Sequence, residues 1–224
     1  MKKEWTIAKV KDYMEPHRNE ENAFPMIKYM KNHFPFLGIK TPERRMIFKT
    51  MTKEMELPKF EDMEKEVWAL FQLEEREYHY IAIELLGKYK QQLTVKNLSY
   101  CQSLIETKSW WDSVDSIAPK IVGDIVMSNR EQGEDVMVEW AKSSNMWTNR
   151  ASILHQLKYK EKTNEELLFA TIERHAASKE FFLQKSIGWV LREYAKTRPK
   201  VVQEFVGSHT LAPLSKREAL KHFK

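Results

Sequence analysis

Apolar residues return every three or four positions along almost all of this 224-residue chain, and only 6 glycines interrupt them. A helix with about 3.6 residues per turn gathers such residues onto one buried face, whereas a strand needs a period of two. Almost no two-residue alternation is present, so the expected fold is all-α. The spacing predicts helices over about 42–55, 61–72, 74–90, 95–107, 110–128, 132–142, 146–159, 164–177, 179–196, 199–207 and 215–223, with two more before Gly38. Local chemistry supports several starts. Thr41-Pro42 offers a hydroxyl at the N-cap and proline at the first helical position. Thr94 and Asn164 are further caps, and Ser109 with Asp112 reads as a capping box with aspartate in place of glutamate. "TRPK" and "LAPLS" punctuate the last third. No stretch has the composition of a linker, so residues 1–224 are expected to form one helical domain.

The helices come in pairs, and the pairs carry a repeat. "KYK" occurs at 88–90 and 158–160, which sets Tyr89 and Tyr159 roughly 70 residues apart, and Tyr194 follows about 35 further on. Position 124, where the ladder asks for another tyrosine, holds aspartate. Helix pairs at this period predict an α-solenoid of antiparallel pairs forming a curved, concave body. The same step taken from Asp115 meets Arg45, Tyr80, Arg150 and Lys185, one carboxylate flanked by cations along a single ridge.

The charge balance narrows the partners. Lys plus Arg total 37 against 32 for Asp plus Glu, a net charge of +5. That excess suits an anionic partner only where it clusters. A single cysteine, Cys101, excludes a disulfide framework and a cysteine-rich zinc site. It fits a reducing compartment, and a cytoplasmic location is expected. The opening "MKKEWTIAKVKDYMEPH" lacks the apolar core of a signal peptide, and no run approaches the ~20 apolar residues of a membrane span. The 7 histidines show no HExxH spacing, and no phosphate-loop, GxSxG or dinucleotide pattern occurs. No metal and no cofactor are expected.

One stretch stands apart, "KSWWDSVDSIAP" at 108–119. Val114, Ile117, Ile121 and Ile125 form an apolar stripe joined by Trp110 and Ala118. Trp111 is rotated about 100° from Trp110, and Asp115 is its i+4 neighbour on that separate face. Asp115 lies too far into the helix to cap it. It is either a site carboxylate or half of a salt bridge to Arg150 across a repeat interface. In "FFLQKSIGWVLREYAK", Leu183, Ile187, Val190, Leu191 and Tyr194 form the buried stripe. Lys185, Trp189 and Arg192 occupy another face, where the indole is either a binding surface or is covered by the two cationic stems. Further candidates are Tyr29, Thr41, Arg44 and Arg45 near the front, Lys158, and Lys216 and Arg217 in "LAPLSKRE". That last pair is read at a helix start, which meets either phosphate or solvent.

At these residues the chain resembles the AlkD-type DNA alkylation repair glycosylases, a family built from HEAT-like helical repeats. The resemblance rests on "YMKNHFPFLGIKTPERR" (29–45), "TKSWWDSVDSI" (107–117), "NRASILHQLKYK" (149–160), "SKEFFLQKSIGWVLREYAKT" (178–197) and "LAPLSKREALKH" (211–222). It implies that Asp115 is the catalytic aspartate, that Trp111 and Trp189 embrace the damaged nucleotide, and that Arg150 lies near the lesion backbone. It also implies that Tyr29, Thr41 and Arg45 approach DNA. Lys40 departs from the uncharged polar residue expected there. The implied activity is excision of positively charged N3- and N7-alkylated purines from double-stranded DNA without a deep base-flipping pocket, and a monomer is expected. One carboxylate suits that chemistry, because a cationic base departs neutral and needs no strong general acid. The competing expectation is a non-catalytic repeat scaffold that binds DNA or protein.

Overall fold

Helices carry most of the chain, as the three-and-four spacing requires. The computed structural model describes residues 2–223. The chain divides between Gln92 and Leu93 into two compact units.

The first unit holds α1 (Ile7–Met14), α2 (Glu20–Tyr29), α3 (Thr41–Glu54), α4 (Phe60–Gln72) and α5 (Arg76–Leu86). A two-residue parallel ladder pairs β1 (Lys3–Glu4) with β2 (Met55–Glu56), Lys3 opposite Met55. The segment before α3 is fixed by two charged residues buried at the start of α5. Glu77 accepts the backbone N–H groups of Leu37 at 2.9 Å, Gly38 at 2.9 Å and Ile39 at 3.0 Å. Burial pushes its carboxyl above the usual range, and those amide bonds oppose the rise. Arg76 lays its guanidinium 3.9 Å over the Phe34 ring and bonds His79 at 3.0 Å. Gly38 takes φ +87°, and a Cβ there would lie 1.9 Å from the Asn19 carbonyl oxygen, so only glycine fits.

The second unit holds α6 (Leu98–Glu106), α7 (Trp111–Ile117), α8 (Gly123–Ser128), α9 (Arg130–Trp140), α10 (Met146–Leu154), α11 (Glu165–His175), α12 (Phe181–Tyr194), α13 (Pro199–Ser208) and α14 (Pro213–Ala219). A π-turn over Ala118–Val122 joins α7 to α8, so 111–128 is one helical run containing Pro119 at its widened turn. α10 packs between α7 and α12, and α12 packs closely on α14. Gly188 permits that approach: a Cβ there would be 2.4 Å from the Glu218 Cβ and 2.9 Å from the Ser215 carbonyl oxygen. Ser215 donates to the Gln184 carbonyl at 2.9 Å across the same seam.

The tyrosine ladder has a physical basis. Tyr89 donates its hydroxyl to the Pro58 carbonyl at 2.5 Å, Tyr159 to the Gly123 carbonyl at 2.6 Å, and Tyr194 to Glu165. Each reaches back between 29 and 36 residues within its own unit. Burial raises all three phenols, Tyr89 to about 12.

Two expected caps are corrected. Lys40, not Thr41, is the N-cap of α3, and Pro42 takes the second helical position. Trp110, not Ser109, is the N-cap of α7. Ser109 instead donates back to the Ile105 carbonyl at 2.6 Å, because the chain turns through Lys108 at φ 45°. Asn164 caps α11 as expected, accepting from the Leu167 N–H at 3.1 Å. Thr94 and Asn97 form a capping box ahead of α6.

Candidate active site

Asp115 sits in the second turn of α7, about 160° around the helix axis from the fully buried Ile117. Arg150, in the middle of α10, meets it as a fork: Nε to Oδ1 at 2.8 Å and Nη2 to Oδ2 at 2.9 Å. The Arg150 side chain is 4% exposed and that of Asp115 is 15% exposed. The cation is therefore sealed, while the Asp115 side chain keeps a little exposed surface. Each oxygen keeps a lone pair beyond the one Arg150 uses. Burial pushes the Asp115 carboxyl up; the hydrogen bonds and charge of Arg150 oppose this, and Asp112 adds to the rise.

A third helix completes the clamp. Arg150 Nη1 donates to the Phe182 carbonyl at the start of α12. The Phe182 ring lies 5.0 Å from Trp110 and 5.0 Å from Trp147, and those two indoles are 5.7 Å apart. This aromatic block bridges the N-terminal ends of α7, α10 and α12. It fixes the entry of α7, so the position of Asp115 one turn later is held by packing as well as by charge. The apolar pattern of the sequence places Trp110 in the core but gives Trp147 and Phe182 no role. The step of about 35 that joins Asp115 to Arg150 also joins Trp147 to Phe182, so the same ladder carries the signal.

Trp111 opens α7 and Trp189 lies in α12, both half-buried. Lys185 and Arg192 stand one turn before and after Trp189, and both are engaged by Glu218 of α14. The Lys185 Nζ lies 3.1 Å from Glu218 Oε1, and Arg192 Nη1 lies 2.8 Å from Oε2. Lys221 adds a third contact at 2.8 Å. The hydrogen bond from Lys221, then those of Lys185, hold the buried Glu218 carboxyl down at about 2. No motif in the sequence singles out Glu218.

Lys158 is exposed just past α10. Lys216 and Arg217 are exposed too, but they occupy the last turn of α14, so the helix-start reading of that pair is corrected. In the first unit, Tyr29 is 68% exposed at the end of α2, and Thr41 and Arg45 are exposed on the first turns of α3. Arg44, not Arg45, covers Tyr80, at 4.5 Å, and bonds Glu84 at 3.2 Å. Arg45 stays at 3.9 Å from Glu84. Among the described residues, no group of three or more His, Cys, Asp or Glu is placed to hold a metal ion, and no helix is long and apolar enough to cross a membrane.

Comparison with known proteins bears on this geometry. The family described as "DNA alkylation repair enzyme" matches residues 10–223. A solved structure described as a predicted DNA alkylation repair enzyme from Enterococcus faecalis is 36% identical, with a TM-score of 0.86, over 92% of this chain and 96% of that one. AlkD2 from Streptococcus mutans is 18% identical with a TM-score of 0.63, over 81% of this chain and 89% of its own. The smu.31 protein from Streptococcus mutans UA159 is also 18% identical with a TM-score of 0.63, over 95% and 98%. These two share the all-helical fold. Among curated proteins none matches.

Proposed function

The chain belongs to the DNA alkylation repair enzyme family, and from that premise we propose that it is a DNA glycosylase. Its substrates in this reading are N3- and N7-alkylated purines, such as 3-methyladenine and 7-methylguanine, in double-stranded DNA. The observation that carries the reading is Asp115: an ionisable carboxylate held in a fixed orientation by Arg150, partly open to solvent, one turn from Trp111.

Alkylation makes the base cationic and weakens its bond to the sugar. As the C1′–N bond breaks, its electron pair passes to the base, which leaves neutral, and positive charge grows on the sugar. A preorganised carboxylate stabilises that charge. Water adds to C1′ and its proton passes to Asp115 or to solvent, leaving an abasic sugar. Arg150 acts by orienting the carboxylate and keeping it ionised. Trp111 and Trp189 present indole faces, each of which favours a cation by roughly 0.5–2 kcal/mol. Tyr29, Thr41, Arg45, Lys158, Lys185, Arg192, Lys216 and Arg217 contact the backbone, so affinity falls steeply with salt and little sequence is read.

A second reading keeps the DNA or protein binding and removes the chemistry. The doubly bonded fork between Arg150 and Asp115 favours it, because such a pair also serves as a tie between helices. Incubation with methylated duplex DNA separates the two. Release of free 7-methylguanine at a rate proportional to protein supports the glycosylase; salt-dependent binding with no released base supports the scaffold.

A further inference from the structure

A site for a cationic nucleotide should not keep unbalanced cations beside its binding surface, yet α12 sets Lys185 and Arg192 one turn to either side of Trp189. Glu218 resolves the conflict. It reaches from α14 through the seam that Gly188 leaves open and meets Lys185, Arg192 and Lys221 with both oxygens. The carboxylate is buried, while the cations retain exposed surface, Lys185 38% and Arg192 25%. Lysine and arginine side chains are long and mobile in solution, and a shared buried acceptor restricts both.

We propose that Glu218 is a selectivity-determining positioning residue: it holds Lys185 and Arg192 away from the Trp189 indole and offsets their charge, so that this face accepts a positively charged nucleotide and grips undamaged DNA less tightly. The inference rests on the glycosylase reading above, with Trp189 facing the lesion. Without Glu218 the two cations gain freedom and one unit of positive charge is uncovered. Undamaged DNA then binds more strongly, and a cationic group at the indole is repelled.

The test compares duplexes carrying a pyrrolidine, a protonated stand-in for the cationic sugar, with duplexes carrying an uncharged tetrahydrofuran at the same position. In Glu218→Gln the preference for pyrrolidine should fall roughly threefold to tenfold, the scale of one added like charge about a helical turn away. The slope of log affinity for undamaged duplex against log salt should steepen by about one. Adding Lys185→Gln to Glu218→Gln should return both quantities toward wild type, which a folding defect could not do. An unchanged preference and slope in Glu218→Gln, or no recovery in the double variant, overturns the proposal while leaving the glycosylase reading intact. Wild-type protein with no salt-dependent DNA binding overturns both.

Discussion

Arg150 grips both oxygens of Asp115 at 2.8 and 2.9 Å and spends its remaining Nη1 on the Phe182 carbonyl. The cation is thereby committed to three helices at once. Its orientation cannot change without breaking the link between α7 and α12. The carboxylate is less enclosed: its oxygens retain acceptor capacity and its side chain keeps some exposed surface. For the proposed glycosylase this asymmetry is useful, because the orienting cation is fixed and the carboxylate is not fully enclosed.

Asp115→Asn keeps the size of the side chain and one acceptor for Arg150 but removes the charge. Excision of 7-methylguanine should fall by about 10²- to 10³-fold, the usual effect of deleting one electrostatic stabiliser from a transition state. Duplex binding at fixed salt should persist. Single-turnover release of the base, measured beside a gel-shift titration, checks both; wild-type release rates would remove Asp115 from the mechanism.

Burial raises the Asp115 carboxyl against the pull of Arg150, so the ionised form is lost at higher pH than in a free side chain. The acid limb of kcat/KM should lie above the ordinary carboxylate value of 3.8. A limb at or below that value would mean that the ion pair outweighs desolvation. The stability sign is also fixed. The folded state holds this proton more tightly than the unfolded chain, so this group's contribution to stability declines as pH rises through the window above 3.8.

His155 has the opposite slope. It is fully buried, donates Nδ1–H to the Ser152 carbonyl at 2.6 Å, and burial lowers its pKa from 6.5 to about 4. The unfolded chain therefore takes up the proton first. Stability is complete above pH 6.5 and is lost as pH falls toward 4, by about 3 kcal/mol at about 1.4 kcal/mol per unit. Urea denaturation at pH 7.5 and pH 4.5 should show this loss in wild type, and His155→Gln should reduce it.

Trp189→Ala should cut the handling of cationic lesions by about three- to thirtyfold, in line with one lost cation–π contact. Because the indole is only half-buried, the melting temperature should shift less than it would for a core residue such as Leu191. A large fall in melting temperature with normal activity per folded molecule would assign Trp189 to the core instead.

Residues whose partners repeat along the chain are legible in the sequence. The step from 115 to 150 pairs Asp115 with Arg150, which meet across α7 and α10. The buried stripe of α12 is legible for the ordinary reason of period. Glu218 is not: it stands among lysines and an arginine in "SKREALK", where a glutamate reads as solvated, and Arg192 lies 26 residues away with no motif to link them. Arg76 and Glu77 are hidden in the same way, since adjacent opposite charges at a helix start suggest surface. Thr41 and Ser109 fail as caps because the backbone at Lys40 and Lys108 decides where each helix begins, and side-chain chemistry only follows.

The π-turn over Ala118–Val122 inserts one extra residue into the winding just beyond Asp115. Everything C-terminal to it is out of phase with everything before it by roughly a quarter of a revolution or more. Two azimuths are thus specified independently within one rod, the first presenting the carboxylate and the second seating Ile125 and Val126. Shortening this run by a single residue would force the two into the same phase, and one end would have to surrender its orientation.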